Sequence, residues 1–164
     1  MKLELRLGYD EPETVRALFQ EYTDMLVRED PTIARYLQQQ NYQAELIHLE
    51  AKYGLPDGRL YLAWLDDQPA GCAALRPMDQ GCCELKRLYV RPQFRGHGLG
   101  RKLADQIIAD AREIGYSHML LDTLSFLKDA IALYPKLGFY EVERYNNSPM
   151  ENAVYMRRDL NRQP

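Results

Sequence analysis

One stretch of the chain constrains its fold more than any other. An apolar run ends at Val90, Arg95-Gly-His-Gly-Leu-Gly100 follows, and an amphipathic helical pattern starts at Leu99. A glycine-rich turn between strand and helix lets backbone N–H groups converge on an anion, because no Cβ blocks the approach and the first helical amides lack intrahelical partners. Gly96, Gly98 and Gly100 would each weaken an ordinary helix start by roughly 1 kcal/mol relative to alanine, so a local contact has to offset them. The expected ligand carries phosphate. Lys86, Arg87, Arg91, Arg95, His97, Arg101 and Lys102 crowd the same stretch although the net charge is −3, so positive charge is focused there against the overall sign. Taken singly, each of these cations also fits a solvated helix start.

Spacing separates the phosphate ligands. A P-loop would close on Gly-Lys-Ser or Gly-Lys-Thr, but Arg101 and Lys102 follow Gly100 and no hydroxyl is available for magnesium. ATP and GTP chemistry is disfavoured. A dinucleotide fold wants Gly-x-Gly-x-x-Gly and an acidic residue about 20 residues later. The register here is Gly-x-Gly-x-Gly, with Asp122 at the end of the next strand. Spacing weakens that alternative and leaves it open.

A chain of 164 residues fits one domain, 1–164, able to bury roughly 70% of its unfolded surface without covalent staples. No apolar run approaches the roughly 20 residues of a membrane span. The opening Met-Lys-Leu-Glu-Leu-Arg-Leu alternates like a strand and lacks a signal-peptide block, so a cytoplasmic location is expected. Cys72, Cys82 and Cys83 are odd in number and show no C-x-x-C spacing, which favours core filling over disulfides. Adjacent Cys82 and Cys83 would face opposite sides of a strand, and His48 and His118 have no ligand partners at helical spacing. No metal is expected.

Leu3, Leu5 and Leu7 alternate as a first strand, and Pro12 starts a helix reaching about Arg28. A second helical stretch begins at Pro31 and a third spans 41–52 before Gly54-Leu-Pro-Asp-Gly58 breaks the chain. Strands at 59–65, 70–76 and 82–90 read as a hairpin and its continuation. After the glycine turn, Leu99, Leu103 and Ile107 form a core-facing stripe, Gly115 can end the helix, and 118–122 supplies a short buried strand. That crossover is long enough for parallel pairing. A helix over 125–137 and a final antiparallel pair, 140–145 with 153–160, complete the pattern.

The run Glu84-Leu-Lys-Arg-Leu-Tyr-Val-Arg-Pro-Gln-Phe-Arg-Gly-His-Gly-Leu-Gly-Arg-Lys-Leu103 resembles the acetyl-coenzyme A motif of the GNAT family of N-acetyltransferases, whose core is Gln/Arg-x-x-Gly-x-Gly/Ala. Arg95, Gly98 and Gly100 fill that core. A second block, Ala130-Ile-Ala-Leu-Tyr-Pro-Lys-Leu-Gly-Phe139, resembles the family's later tyrosine helix, and the two blocks with their surroundings cover about residues 59–142. The resemblance implies an α/β fold with a mixed, mostly antiparallel central sheet of about seven strands, flanked by helices and splayed at the cofactor site. It implies transfer of an acetyl group from acetyl-coenzyme A to a primary amine by direct attack through a tetrahedral intermediate, without a metal.

The site roles follow from the same resemblance. The main chain of Leu88, Tyr89 and Val90 would contact the thioester and pantetheine arm. Arg95, Gly96, His97, Gly98, Leu99, Gly100 and Arg101 would cradle the pyrophosphate. Ser125 stands as the only neutral polar side chain where many members carry a cofactor-holding asparagine. Tyr134 matches the tyrosine that protonates the leaving thiolate, although periodicity alone places it in the core, and Pro135 beside it should kink the helix. Glu84 matches the glutamate base; the alternative is a strand glutamate salt-bridged to Lys86 or Arg87. The acceptor, a small-molecule amine or a protein amino group, is expected between residues 22–36 and 145–152, whose carboxylates Asp24, Glu29, Asp30 and Glu151 could hold a cation, although an exposed acidic helix is the commoner explanation of such residues. Neither nucleic acid nor membrane is expected as a partner, and a homodimer is compatible with the pattern. The competing function is a non-catalytic acyl-coenzyme A-binding sensor or regulatory module.

Overall fold

The computed structural model describes residues 1–160. Three consecutive strands, β2 (Arg59–Leu65), β3 (Gln68–Pro77) and β4 (Cys82–Val90), are buried along most of their length on both faces. A sheet with two apolar faces needs helices on each. With β1 (Leu3–Leu7), β5 (His118–Leu124), β6 (Tyr140–Val142) and β7 (Ala153–Asp159) they form a seven-stranded sheet in the order β1-β2-β3-β4-β5-β7-β6.

Helix α1 (Pro12–Glu29) opens with proline in its first turn, where the missing N–H has no helical partner to lose. It is followed by α2 (Ile33–Gln39), α3 (Tyr42–Ile47) and α4 (Leu49–Tyr53). The single helix expected over 41–52 is parted at His48, whose backbone leaves the helical region. That break lets Tyr42 pack with Leu26, Ile33 and Leu37 while Leu49 and Tyr53 enter the core under α1. On the opposite face, α5 (Leu99–Ile114) and α6 (Lys128–Lys136) bury Leu103, Ile107 and Tyr134 against β3, β4 and β5.

Helix α6 begins three residues later than its sequence pattern suggests. Ser125 donates its N–H to the Asn152 carbonyl and so prolongs the β5–β7 ladder. Strand β6 is also shorter than expected, because residues 143–152 leave the sheet and fold over it, with the Arg144 guanidinium donating to the Ser148 carbonyl.

All strand pairs are antiparallel except β4 and β5, which α5 connects as a parallel crossover. These two strands pair only from Cys82–Glu84 against His118–Leu120, and beyond Leu85 they part. On its other edge β4 carries a bulge: Cys72 lies opposite Tyr89, but Ala74 lies opposite Lys86. The extra residue includes Arg87, which has a left-handed backbone at φ 59°.

Candidate active site

The parted strands open the sheet to cavities from both ends of the gap. On one side is a cleft of about 640 Å³ lined by Leu88, Tyr89 and Val90 of β4, the glycine turn, and the start of α6. Gly96 and Gly98 have φ of 87° and 73°, and a Cβ built on either would meet nothing within 4 Å. The space over the turn is therefore open to a ligand. Gly98 is also the N-cap of α5 and supplies no side-chain cap, so the amides that begin the helix face that space without a partner from a capping side chain. Arg95, Arg28 and Lys128 outnumber Glu29 and Asp129 in the lining and leave it net positive. A pyrophosphate fits this donor set and this sign of charge.

Not every cation of the basic stretch joins that rim. Arg91 is held by Glu21 of α1 through Nε (3.0 Å) and Nη2 (2.6 Å). Lys86 and Arg87 are buried inside the fold. The cause is strand geometry: β4 is covered on both faces, so its polar side chains lie in the interior.

Arg87 shows how the bulge is held. Its Nε and Nη2 donate to the two oxygens of Glu45, each at 2.9 Å, Nη2 also donates to Gln40 at 3.0 Å, and the guanidinium lies 5.1 Å from the Tyr42 ring centroid. Glu45 accepts further bonds from Lys52 (2.7 Å) and the Tyr53 hydroxyl (2.9 Å). Burial pushes the Glu45 carboxyl up, but Arg87 and Lys52 outweigh it and bring it down to about 2. The folded carboxyl is thus more acidic than the unfolded one. Its contribution is complete above the ordinary carboxylate range and is lost as pH falls from about 4.5 towards 2. Glu45→Gln should therefore lower stability at pH 7 by about 3 kcal/mol. Denaturant melts across pH should show the gap from wild type closing between pH 4.5 and 2. A gap independent of pH would contradict this account of the pair.

On the other side of the parted strands lies a cavity of about 840 Å³ between α2–α4 and the loop 144–150. Glu84, at the last paired register of β4 and β5, faces it. The Glu84 side chain is 2% exposed; Oε1 accepts from Arg76 Nε at 2.6 Å and Oε2 from the Tyr145 hydroxyl at 2.5 Å. Burial raises its pKa, but Lys86, Arg76 and the Tyr145 hydroxyl together hold it below the ordinary value, so the group is ionised. A carboxylate accepts about four hydrogen bonds, so two acceptor positions remain.

A smaller cavity of about 60 Å³ lies in the gap itself, between Leu85–Leu88 and Asp122–Leu124. It shares Leu88, Thr123 and Tyr134 with the cleft over the glycine turn, and Tyr36, Lys86 and Ser148 with the larger cavity. The small cavity thus borders each of the larger spaces, which have no lining residue in common. Tyr134 stands at one junction, its ring edge-on to Phe139 at 5.6 Å. Its hydroxyl donates to no described residue, and burial, with Tyr22 and Asp122 nearby, holds the phenol protonated far above its ordinary range. Pro135 falls one residue before the end of α6, so the lost donor belongs to the terminal turn, where the amides of Leu137 and Phe139 bond to the Tyr134 carbonyl.

Among the residues singled out in the sequence, Leu88, Tyr89, Val90, Arg95, Gly96, Gly98, Leu99, Gly100 and Tyr134 line the cleft. His97, Arg101 and Ser125 do not, and Glu84 faces the opposite cavity. Tyr36, Tyr145, Asn146 and Asn147 reach that cavity, whereas Asp24, Asp30 and Glu151 stay outside it and Glu29 lines the cleft. Sequence reasoning missed Thr123 and the Glu45–Arg87 pair. The pair spans 42 positions and leaves no local signal.

Residues 15–139 match a family model described as the Acetyltransferase (GNAT) family. Over 125 residues the chain is 44% identical to an uncharacterized N-acetyltransferase of Schizosaccharomyces pombe, covering 75% of this chain and 77% of that one. The fold is similar to that of a GNAT-family acetyltransferase of Staphylococcus aureus, with a TM-score of 0.75 at 20% identity over 97% of this chain and 99% of the other. It is also similar to a GNAT-family acetyltransferase from Elizabethkingia anophelis with acetyl-CoA bound, with a TM-score of 0.55 at 28% identity over 63% and 77% of the two chains.

Proposed function

The chain belongs to the GNAT acetyltransferase family, and we propose that it transfers the acetyl group of acetyl-coenzyme A to a primary amine across the gap between β4 and β5. The observation that carries this reading is the small cavity between the parted strands, which shares lining residues with the spaces on both sides, with a protonated phenol at its border with one and an ionised carboxylate facing the other. The cofactor's diphosphate is held by the amides from Gly96 to Arg101, with Arg95 beside them. Its pantetheine arm runs along Leu88–Val90, where the bulge leaves Leu88 without a register partner on β3 and β5 has already parted.

The amine enters from the cavity under the loop 144–150. Glu84 takes its ammonium proton through water and the neutral nitrogen attacks the thioester carbonyl to give a tetrahedral intermediate; as that collapses the C–S bond breaks, Tyr134 gives its proton to the departing sulfur, and the second proton on nitrogen passes through water to the Tyr134 phenolate. Leu88 N–H, on the segment of β4 that β5 has left, is the main-chain donor assigned to the developing oxyanion in this reading. The direct test is thiol release from acetyl-coenzyme A over a panel of amines. Amine-dependent release is expected; tight coenzyme A binding without any release would favour a sensor module instead.

Glu84 is a weak base because its partners stabilise the anion, so its contribution should lie at the modest end for general-base catalysis. Glu84→Gln is expected to lower kcat/KM for the amine by roughly 10- to 100-fold, most at low pH where more amine is protonated, with coenzyme A affinity retained. Wild-type rates across the pH range would leave Glu84 a purely structural partner of Arg76.

A further inference from the structure

The amine-side cavity holds more positive charge than its carboxylates neutralise. Glu45 is occupied by Arg87 and Lys52, and Glu84 by Arg76 and Tyr145. Asp122, deeper between the strands, accepts from Tyr36 and Asn146. Lys86 is left over. Its side chain is 5% exposed, and its nearest carboxylate oxygen, on Glu84, is 3.9 Å away, beyond hydrogen-bond distance. No described residue accepts a hydrogen bond from its Nζ.

Lys86 lines both the large cavity and the small one between the strands, so it stands on the side from which the proposed acceptor approaches Tyr134. Its ammonium has no hydrogen-bond acceptor among the described residues and borders open volume, where an anionic ligand can supply one and offset the burial that lowers its pKa. Four cations, Lys52, Arg76, Lys86 and Arg87, oppose three carboxylates here, and each carboxylate already has its own donors. A polyamine would bring further positive charge against this group. An anionic substituent would complete it.

Building on the acetyl-transfer reading, we infer that the acceptor is a small amine that also carries a carboxylate, an amino acid or a close analogue, with Lys86 as the counter-ion of that carboxylate. The same cation lowers the acidity barrier of the substrate ammonium, which complements a weak base at Glu84. Lys86 is in this account a specificity determinant. It acts on which amine binds, through the charge at one end of the substrate, and not on the bonds that form and break.

The test compares matched acceptors on the full chain: alanine, β-alanine and glutamate, their carboxamides, and ethylamine and spermidine. The free acids should have kcat/KM at least about tenfold above their amides, the scale of one charge-assisted hydrogen bond. Lys86→Met should erase that ratio, and Lys86→Arg, which keeps the charge and guards against a folding defect, should retain most of it. Preference for amides, ethylamine or spermidine, or an acid-to-amide ratio untouched by Lys86→Met, would overturn the inference. If no amine releases thiol, the transferase reading fails. Calorimetry with N-acetylalanine, N-acetyl-β-alanine and N-acetylglutamate on coenzyme A-loaded protein then still decides the anion site, since binding lost in Lys86→Met supports it and absent binding refutes it.

Discussion

Gly98→Val should weaken coenzyme A binding by about 10²-fold or more, because two or more amide contacts to a charged diphosphate, worth roughly 1.5–3 kcal/mol each, are obstructed together. The wild-type Cβ position is empty space over the start of α5, and that space is the cleft itself. The valine also meets a backbone penalty, since φ is 73° at this position and a left-handed conformation costs an L-residue about 1–2 kcal/mol. Stability should therefore fall by only a few degrees in melting temperature for a chain of this size. Gly115→Val separates the two effects. Gly115 has φ 108° and open space at its Cβ, but it caps the far end of α5. That variant should lose comparable stability and keep its coenzyme A affinity. Calorimetry that found equal affinity in Gly98→Val and wild type would remove the diphosphate from the glycine turn.

Tyr134→Phe should lower kcat and kcat/KM together by roughly 10²- to 10⁴-fold, with KM for acetyl-coenzyme A little changed. The substitution keeps the ring that packs edge-on against Phe139 and removes only the hydroxyl at the junction of the cavities. A proton given to the leaving sulfur acts in the transition state and contributes little to binding the ground state, so the loss belongs in kcat. A raised KM with unchanged kcat would instead make the hydroxyl a binding contact. The phenol's strongly raised pKa means that no loss of activity through Tyr134 ionisation is expected on the alkaline side of the working range.

Much of the architecture is legible in the sequence because it is local. The alternation at Leu3, Leu5 and Leu7 and the stripe at Leu99, Leu103 and Ile107 match β1 and α5, and Gly115 ends α5 in a left-handed conformation. The parallel pairing of β4 and β5 follows from the crossover that α5 makes. What stays hidden depends on distant partners. Nothing in Lys-Arg-Leu-Tyr-Val announces that Arg87 adopts a left-handed backbone, since a non-glycine residue takes that conformation only when its surroundings impose it, here through Glu45 on α3. The charges of Lys86 and Arg87 invite assignment to the phosphate rim, yet both are buried, Lys86 lining the cavity that Glu84 faces and Arg87 held by Glu45. Similarly, the acidic residues between 22 and 36 suggest a cation site, while the cavity that forms near them is lined by cations from β3, β4 and α4. Helix propensity over 41–52 and at Ser125 yields to tertiary packing and to a sheet bond with Asn152.

Following the acyl group shows whether it changes hands between the cleft over the glycine turn and the cavity that Glu84 faces. Protein mixed with acetyl-coenzyme A labelled with ¹³C in the acetyl group and with a pool of primary amines should place the label on nitrogen, one N-acetyl product for each thiol released, as read by mass spectrometry. Thiol released without labelled amide, or coenzyme A bound tightly with neither product formed, would contradict that transfer.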